Sequence, residues 1–150
     1  MAEVTPWPPE EPELVLAATA WMEDRSGGKA GMQAVMNVVC NRADNPRWWG
    51  RDIVSVCLKP MQFSAWNRGS SQIPKVKVAM ADGDLQWATA LDLATLAVAG
   101  ELPDLTDNAD SYYAASDPSP PAWAEAAHYC GTIGGQKFFR LYLGPRSPVG

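Results

Sequence analysis

Residues 21 to 43, WMEDRSGGKAGMQAVMNVVCNRA, constrain the fold more than any other stretch of this chain. An apolar segment ends on one acid, Glu23, and the pattern then breaks at Asp24, Arg25, Ser26, Gly27 and Gly28. It resumes as a helical stripe of Met32, Val35, Met36 and Val39, spaced i, i+3, i+4, i+7. The acid at this bend is expected to lie beside the core without joining it. A carboxyl there is partly desolvated, which raises its pKa.

The other elements follow from punctuation and period. Pro12 suits a first helical turn, with Glu10, Glu11 and Glu13 at its positive end. The spacing predicts a first helix running to about Glu23, with Leu14, Ala17, Ala18, Trp21 and Met22 along one side. A second helix covers about 29 to 43 and stops before Pro46, which disfavours helix at Asn45. A short third helix lies in RDIVSVCL, closed by Pro60, and the aromatic-rich loop MQFSAWNRG follows. Ser70 to Gly83, with Val76 and Val78 alternating, reads as an insertion, a short strand or a lid. The fourth helix, about 84 to 99, has few charges and is expected to be the most buried of the four. PPAWAEAA can start a short helix at its prolines. HYCGTI and QKFFRLYL flank Gly134-Gly135 as a hairpin would.

A length of 150 residues, 47% of them apolar, suits one domain with a sizeable core. Within it, residues 1–9 form an extended leader, 10–143 the working core and 144–150 a frayed tail. No apolar run approaches the roughly 18 residues of a membrane span. The acidic, proline-rich N-terminus does not resemble a signal peptide, so synthesis in the cytoplasm without a Sec address is expected. The net charge is −5, and Glu3, Glu10, Glu11 and Glu13, with no Lys or Arg before Arg25, supply four of those charges. Without a basic field no nucleic-acid partner is expected. Three cysteines and a single histidine form no metal-ligand spacing, and Cys40 and Cys57 read as packing thiols in a reduced compartment.

A carboxyl at the edge of a core, among rings that can stack on pyranose faces, points to glycoside cleavage. The acid must be protonated to donate to a glycosidic oxygen, so it needs an apolar wall. Trp21, Met22, Phe63 and Trp66 could build that wall. Local sequence alone leaves a second reading open, in which Glu23 is an ordinary surface acid at a helix end. A helix C-terminus disfavours a carboxylate and so favours its protonated form. Trp48, Trp49 and Trp123 stand open between packing and ligand contact. Asn41 and Arg42 read as cap and ion-pair residues. Tyr112 and Tyr113 alternate in direction if they lie on a strand, so at most one should face a cleft.

Glu23, Gly31, Ala34, Val35, Val38, Asn41 and Arg42 resemble, in order and without gaps, the signature of the SleB/CwlJ-type cell wall hydrolases. These are the spore-cortex-lytic enzymes and their phage and bacterial relatives. Gln62-Phe63-Ser64, Ala109 with Tyr112-Tyr113, Trp123, and Ile133-Gly134 with Phe138-Phe139 resemble later elements of that family. The resemblance implies a small, mainly helical α+β domain of lysozyme-like character with a C-terminal β-hairpin. It implies cleavage of the N-acetylmuramic acid to N-acetylglucosamine bond, with Glu23 as the catalytic acid and no cofactor or metal. Gln62, Phe63, Ser64, Trp66, Tyr112, Tyr113, Trp123 and Gln136 are the expected substrate-binding residues. Of the departures from the family pattern Glu-Ala-Arg-Gly-Glu … Ile-Gly-x-His, two matter most for the chemistry: Gly27 stands for its second glutamate and Gln136 for its histidine.

The expected activity is that of a lytic transglycosylase, in which one acid does both proton transfers. The rivals are a hydrolytic muramidase, using Asp44, Asp107 or Asp110 as second acid, and an inactive peptidoglycan-binding domain of the same fold. The expected partner is the peptidoglycan glycan strand, with the protein a monomer that does not insert into membranes. The expected setting is that of a phage endolysin reaching the wall through a holin or after lysis.

Overall fold

The computed structural model describes residues 7–60 and 62–143. The start of the leader and the tail at 144–150 lie outside the described residues. Among the described residues five α-helices are followed by a three-stranded sheet, a mainly helical α+β arrangement: α1 (Pro12–Asp24), α2 (Gly28–Asp44), α3 (Ile53–Leu58), α4 (Gln72–Asp82), α5 (Leu85–Val98), β1 (Ser111–Ala114), β2 (Tyr129–Ile133) and β3 (Gln136–Phe139).

α1 is the axis of the molecule. Every residue from Val15 to Met22 is buried, so the helix is enclosed on all sides rather than along one stripe. Ala17, Ala18 and Ala20 keep its surface low and let α2 and α5 approach closely. Thr19, the polar residue inside this layer, bonds to Val15 O at 2.7 Å and accepts from Trp66 Nε1 at 2.8 Å. The expectation that the fourth predicted helix is the most buried is therefore corrected. That helix, α5, buries Trp87, Ala90, Leu93, Ala94 and Ala97, but leaves Leu85 81% exposed and Leu96 42% exposed.

α2 is buried from Gly31 to Val39 because it serves two layers. Met32, Val35, Met36 and Val39 join the helical core, while Ala34 and Val38 pack with Ala109 and Phe138 beneath the sheet. Between these faces, Gln33 Nε2 and Asn37 Nδ2 both donate to Pro103 O, at 2.9 and 3.0 Å. Asp52 caps α3 in a reciprocal box with Ser55. All three cysteines are free, and burial pushes the Cys57 thiol up to about 12.

The stretch read as a strand or lid is instead α4. Its Val76 and Ala79 are buried while Val78 is 60% exposed, a helical rather than a strand pattern. Pro74 is tolerated in the first turn, where an amide has no intrahelical acceptor, and Gly83 closes the helix in the left-handed conformation. The helix expected at the prolines of PPAWAEAA shrinks to a three-residue 3-10 turn at Ala126–His128. So short a segment cannot offset the cost of helix nucleation.

The expected hairpin is present: β2 and β3 pair antiparallel around Gly134-Gly135, with a bulge between Tyr129 and Gly131. β1 adds to the other edge of β3, giving the order β1-β3-β2. Buried Asp110 fastens the chain beyond the sheet, accepting the backbone amides of Leu141, Tyr142 and Leu143 at 3.0, 2.8 and 2.9 Å.

Candidate active site

α1 delivers Glu23 at its last turn, where the sheet and the Ser64–Trp66 turn converge on it. Its Oε1 accepts from Tyr112 Oη at 2.5 Å and its Oε2 from the Ala65 amide at 3.4 Å. The backbone carbonyl of Glu23 accepts from Gln136 Nε2 at 3.3 Å. Burial pushes the carboxyl above the usual range; the Tyr112 and Ala65 bonds oppose this, and the charge of Asp24 adds to it. The acid is thus held toward its protonated form by lost solvation, while two donors stand ready for the anion.

A hollow of about 500 Å³ opens in front of this carboxyl. Phe63, Tyr112, Tyr113, Trp123, Trp48 and Tyr142 supply rings, and Arg42, Gln62, Ser64, Ser111 and Gln136 supply polar groups. Among the described residues lining it, Glu23 is the one carboxylate. Both tyrosines of β1 reach the lining, so the alternation argument was too strict. Tyr112 meets the acid, and Tyr113 stands with Trp123 and Phe139 at ring distances of 6.0 and 5.7 Å. A larger hollow, about 590 Å³, holds Cys40, Asp44, Asp52 and Asp104 but no aromatic ring and no part of Glu23. Chemistry rather than size picks out the site.

Of the expected binding residues, the fold gathers Gln62, Phe63, Ser64, Tyr112, Tyr113, Trp123 and Gln136 around Glu23. Trp66 is not brought there: its indole bonds to Thr19 and packs on Trp7, 5.6 Å between ring centres. Nor does Trp21 wall the acid, since its Nε1 donates to Asp84 at 3.1 Å and Arg25 covers its ring. Asn41 does not cap α2 as expected: it ties the helix to a distant loop through Asp104 and Ala109 O. Arg42 reaches across the fold instead of capping α2. Its Nε donates to Asp110 O at 2.7 Å, its Nη1 to Gln62 Oε1 at 3.1 Å, and it lines the hollow. Trp48, open between packing and ligand contact in the sequence, and Tyr142, which no motif marks, meet edge to face at 4.5 Å on its rim. The doubled Trp48-Trp49 was the available signal: Trp49 goes to the core and Trp48 stays half exposed.

The three acids weighed as a second carboxylate stand elsewhere. Asp110 is consumed by backbone amides, Asp107 lies 3.6 Å from Arg140, and Asp44 borders the other hollow. Asp24 is buried behind Glu23, where its Oδ2 accepts from the Gly135 amide at 3.1 Å. A Cβ on Gly27, Gly31 or Gly134 would meet that oxygen at 2.4, 2.4 or 2.5 Å. Gly27 is therefore not an empty position but the space into which Asp24 folds. Burial raises the Asp24 pKa, against the pull of the Gly135 and Gly27 amides.

The sequence model of a family described as Cell Wall Hydrolase matches residues 26–139, most of the chain and the whole of α2 through β3. The chain belongs to the cell wall hydrolase family. It is an enzyme that acts on peptidoglycan. The matched stretch begins at residue 26, just past Glu23. The fold of this cell wall hydrolase is similar to the catalytic domain of the Bacillus cereus SleB protein, with 20% identity, 86% of this chain and 89% of that one covered, and a TM-score of 0.61. It is also similar to the catalytic domain of the germination-specific lytic transglycosylase SleB from Bacillus anthracis, with 23% identity, 91% and 100% covered, and a TM-score of 0.59. No curated protein sequence matches the chain. Among the described residues no helix is long and apolar enough to cross a membrane.

Proposed function

We propose that this cell wall hydrolase is a lytic transglycosylase, cutting between N-acetylmuramic acid and N-acetylglucosamine with Glu23 as acid and then base. Protonated Glu23 donates to the glycosidic oxygen as the C1–O bond breaks. The carboxylate so formed, accepting from Tyr112 Oη and the Ala65 amide, then takes the proton of the muramic C6 hydroxyl as that oxygen attacks C1. The product ends in a 1,6-anhydro ring. Tyr113, Trp123 and Trp48 offer faces to the sugar rings, and Arg42, Gln62 and Gln136 offer donors to their hydroxyls. The observation that carries this reading is one carboxyl of raised pKa facing a ring-lined hollow that contains no second acid among its described residues. A water-activating muramidase needs a partner carboxyl at roughly 5–9 Å. The Bacillus anthracis domain of similar fold, a germination-specific lytic transglycosylase, supports the same reading.

Purified protein is incubated with sacculi and the soluble fragments are weighed by mass spectrometry. Anhydro-muramic ends are expected. Reducing ends would replace this mechanism with hydrolysis, and binding without fragments would make the protein a wall-binding domain. Glu23→Gln should lower turnover by about 10²–10⁴-fold or more while the strand still binds.

A further inference from the structure

Glu23 borders a second hollow as well, of about 240 Å³, shared with Met22, Asp24, Arg25, Ser26 and Gln72. The first hollow is walled by rings; this one has none, and Arg25 is the cation that lines it, beside the two acids Glu23 and Asp24. The guanidinium lies 3.9 Å above the Trp21 ring, and its Nη1 donates to Gln72 Oε1 at 2.7 Å and to Trp21 O at 3.3 Å. The Arg25 backbone is held too, its carbonyl accepting from Gln86 Nε2 at 2.7 Å. Stacking and these bonds fix the plane of the fork. These bonds use Nη1, and among the described residues no hydrogen bond engages Nε or Nη2 of this five-donor group. Among the described residues no carboxylate lies within ion-pair distance of Arg25.

The two acids beside it do not neutralise it. Asp24 is turned into its glycine enclosure toward the Gly135 amide, and Glu23 toward Tyr112 and Ala65. A fixed, unpaired guanidinium flanking the acid that cuts a strand is built to accept an anion next to the scissile bond. Guanidinium and carboxylate match as a two-pronged pair. Peptidoglycan carries such an anion on each muramyl residue: the lactyl carboxylate, where it is free, or the carboxylates of the attached peptide.

We infer that the hollow between the end of α1 and the start of α4 is an anion subsite, in which Arg25, aimed by Gln72, binds a carboxylate of the muramyl residue beside the cut. This rests on the glycan-cleaving reading above and adds a determinant of which strands are taken. It also gives α4 a part in the site.

The test uses three strand preparations: peptides intact, peptides intact with all carboxylates amidated, and peptides removed so that the lactyl carboxylate is free. For the unaltered protein, amidation should raise KM about tenfold, the value of one charge-assisted hydrogen bond at a partly exposed site. In Arg25→Ala the ratio of the two KM values should fall to one, and in Arg25→Lys it should lie between. Strands lacking peptide that behave like intact ones assign the lactyl group, and strands that behave like amidated ones assign the peptide. An unaltered protein indifferent to amidation, or a ratio that persists in Arg25→Ala, overturns the subsite. The first comparison needs no variant, so misfolding of Arg25→Ala cannot mask the answer. Strand binding to Glu23→Gln gives the same ratio without turnover. Cleavage that ignores carboxylates sinks this inference alone, whereas no cleavage of any strand sinks the catalytic reading.

Discussion

Gly31→Ala separates two accounts of α2. Gly31 lies inside a 17-residue helix, where alanine is intrinsically better than glycine by about 0.8–1 kcal/mol. Propensity alone therefore expects a more stable protein. The enclosure around Asp24 expects the reverse. A methyl at position 31 would stand 2.4 Å from Asp24 Oδ2, 3.1 Å from its Cγ and 3.3 Å from its backbone oxygen. The carboxylate has little room to withdraw, because Gly27 and Gly134 crowd it equally and the Gly135 amide holds it. Overpacking of this kind costs about 1–3 kcal/mol, and expelling the carboxylate would forfeit a charged hydrogen bond of about 1.5–3 kcal/mol. Subtracting the propensity gain from either cost leaves a net loss of about 1 kcal/mol, or about 2–4 °C in Tm for a chain of this size. Thermal unfolding followed by circular dichroism reads it. In an Asp24→Ala background the clash is gone, and the same substitution should become neutral or stabilising by up to about 1 kcal/mol. A higher Tm for Gly31→Ala with Asp24 intact, or an equal effect in both backgrounds, would refute the reasoning.

Three further outcomes follow from the acid and its surroundings. Glu23 has a folded-state pKa above its ordinary 4.5, so the stability tied to its proton is full below that pH and is lost as pH rises toward the folded value. Relative to the unaltered protein, Glu23→Gln should thus gain stability across that window and hold it above; urea midpoints at pH 4 and pH 7 that shift equally would contradict this. Tyr112→Phe removes a bond that favours the ionised acid, so the alkaline limb of kcat/KM should move to higher pH, and a limb that moves lower would show another group titrating. Phe63→Ala should lower activity more than stability predicts, because Phe63 lines the hollow, whereas Trp66→Ala should chiefly lower Tm through the loss of its Thr19 and Trp7 contacts. Equal effects on activity at matched stability would argue that Phe63 only packs.

Local signals carried the sequence reading as far as they reach. The bend between α1 and α2 was legible from Gly27-Gly28 and the stripe at Met32, Val35, Met36 and Val39, and the hairpin from two β-prone runs around Gly134-Gly135. α4 was misread because Val76 and Val78 alternate; the competing helical spacing of Ile73, Val76 and Met80 was equally present, and packing on α1 decided it. The low charge of α5 was taken for burial, although Leu85 and Leu96 show that apolar residues also face outward. Ring identity could not say which tryptophans meet a sugar. Trp66 and Trp48 differ in direction, and direction is set by Thr19 in one case and Tyr142 in the other, partners far away in sequence. Nothing in the local pattern marks where the Asp24 carboxylate goes. The backbone leaves the helix there, at φ −154° and ψ 40°, and that break turns its carboxylate among the glycines.

That enclosure behaves as a berth with one occupant. The family pattern has alanine one step after the catalytic glutamate and a second glutamate three steps later; this chain has Asp24 and Gly27 in those places. Since a side chain begun at 27 would start where the Asp24 carboxylate ends, the two positions cannot both be filled, and changing either alone leaves the berth vacant or overfull. A lineage or an engineer moving the acid from one to the other must therefore exchange both residues together.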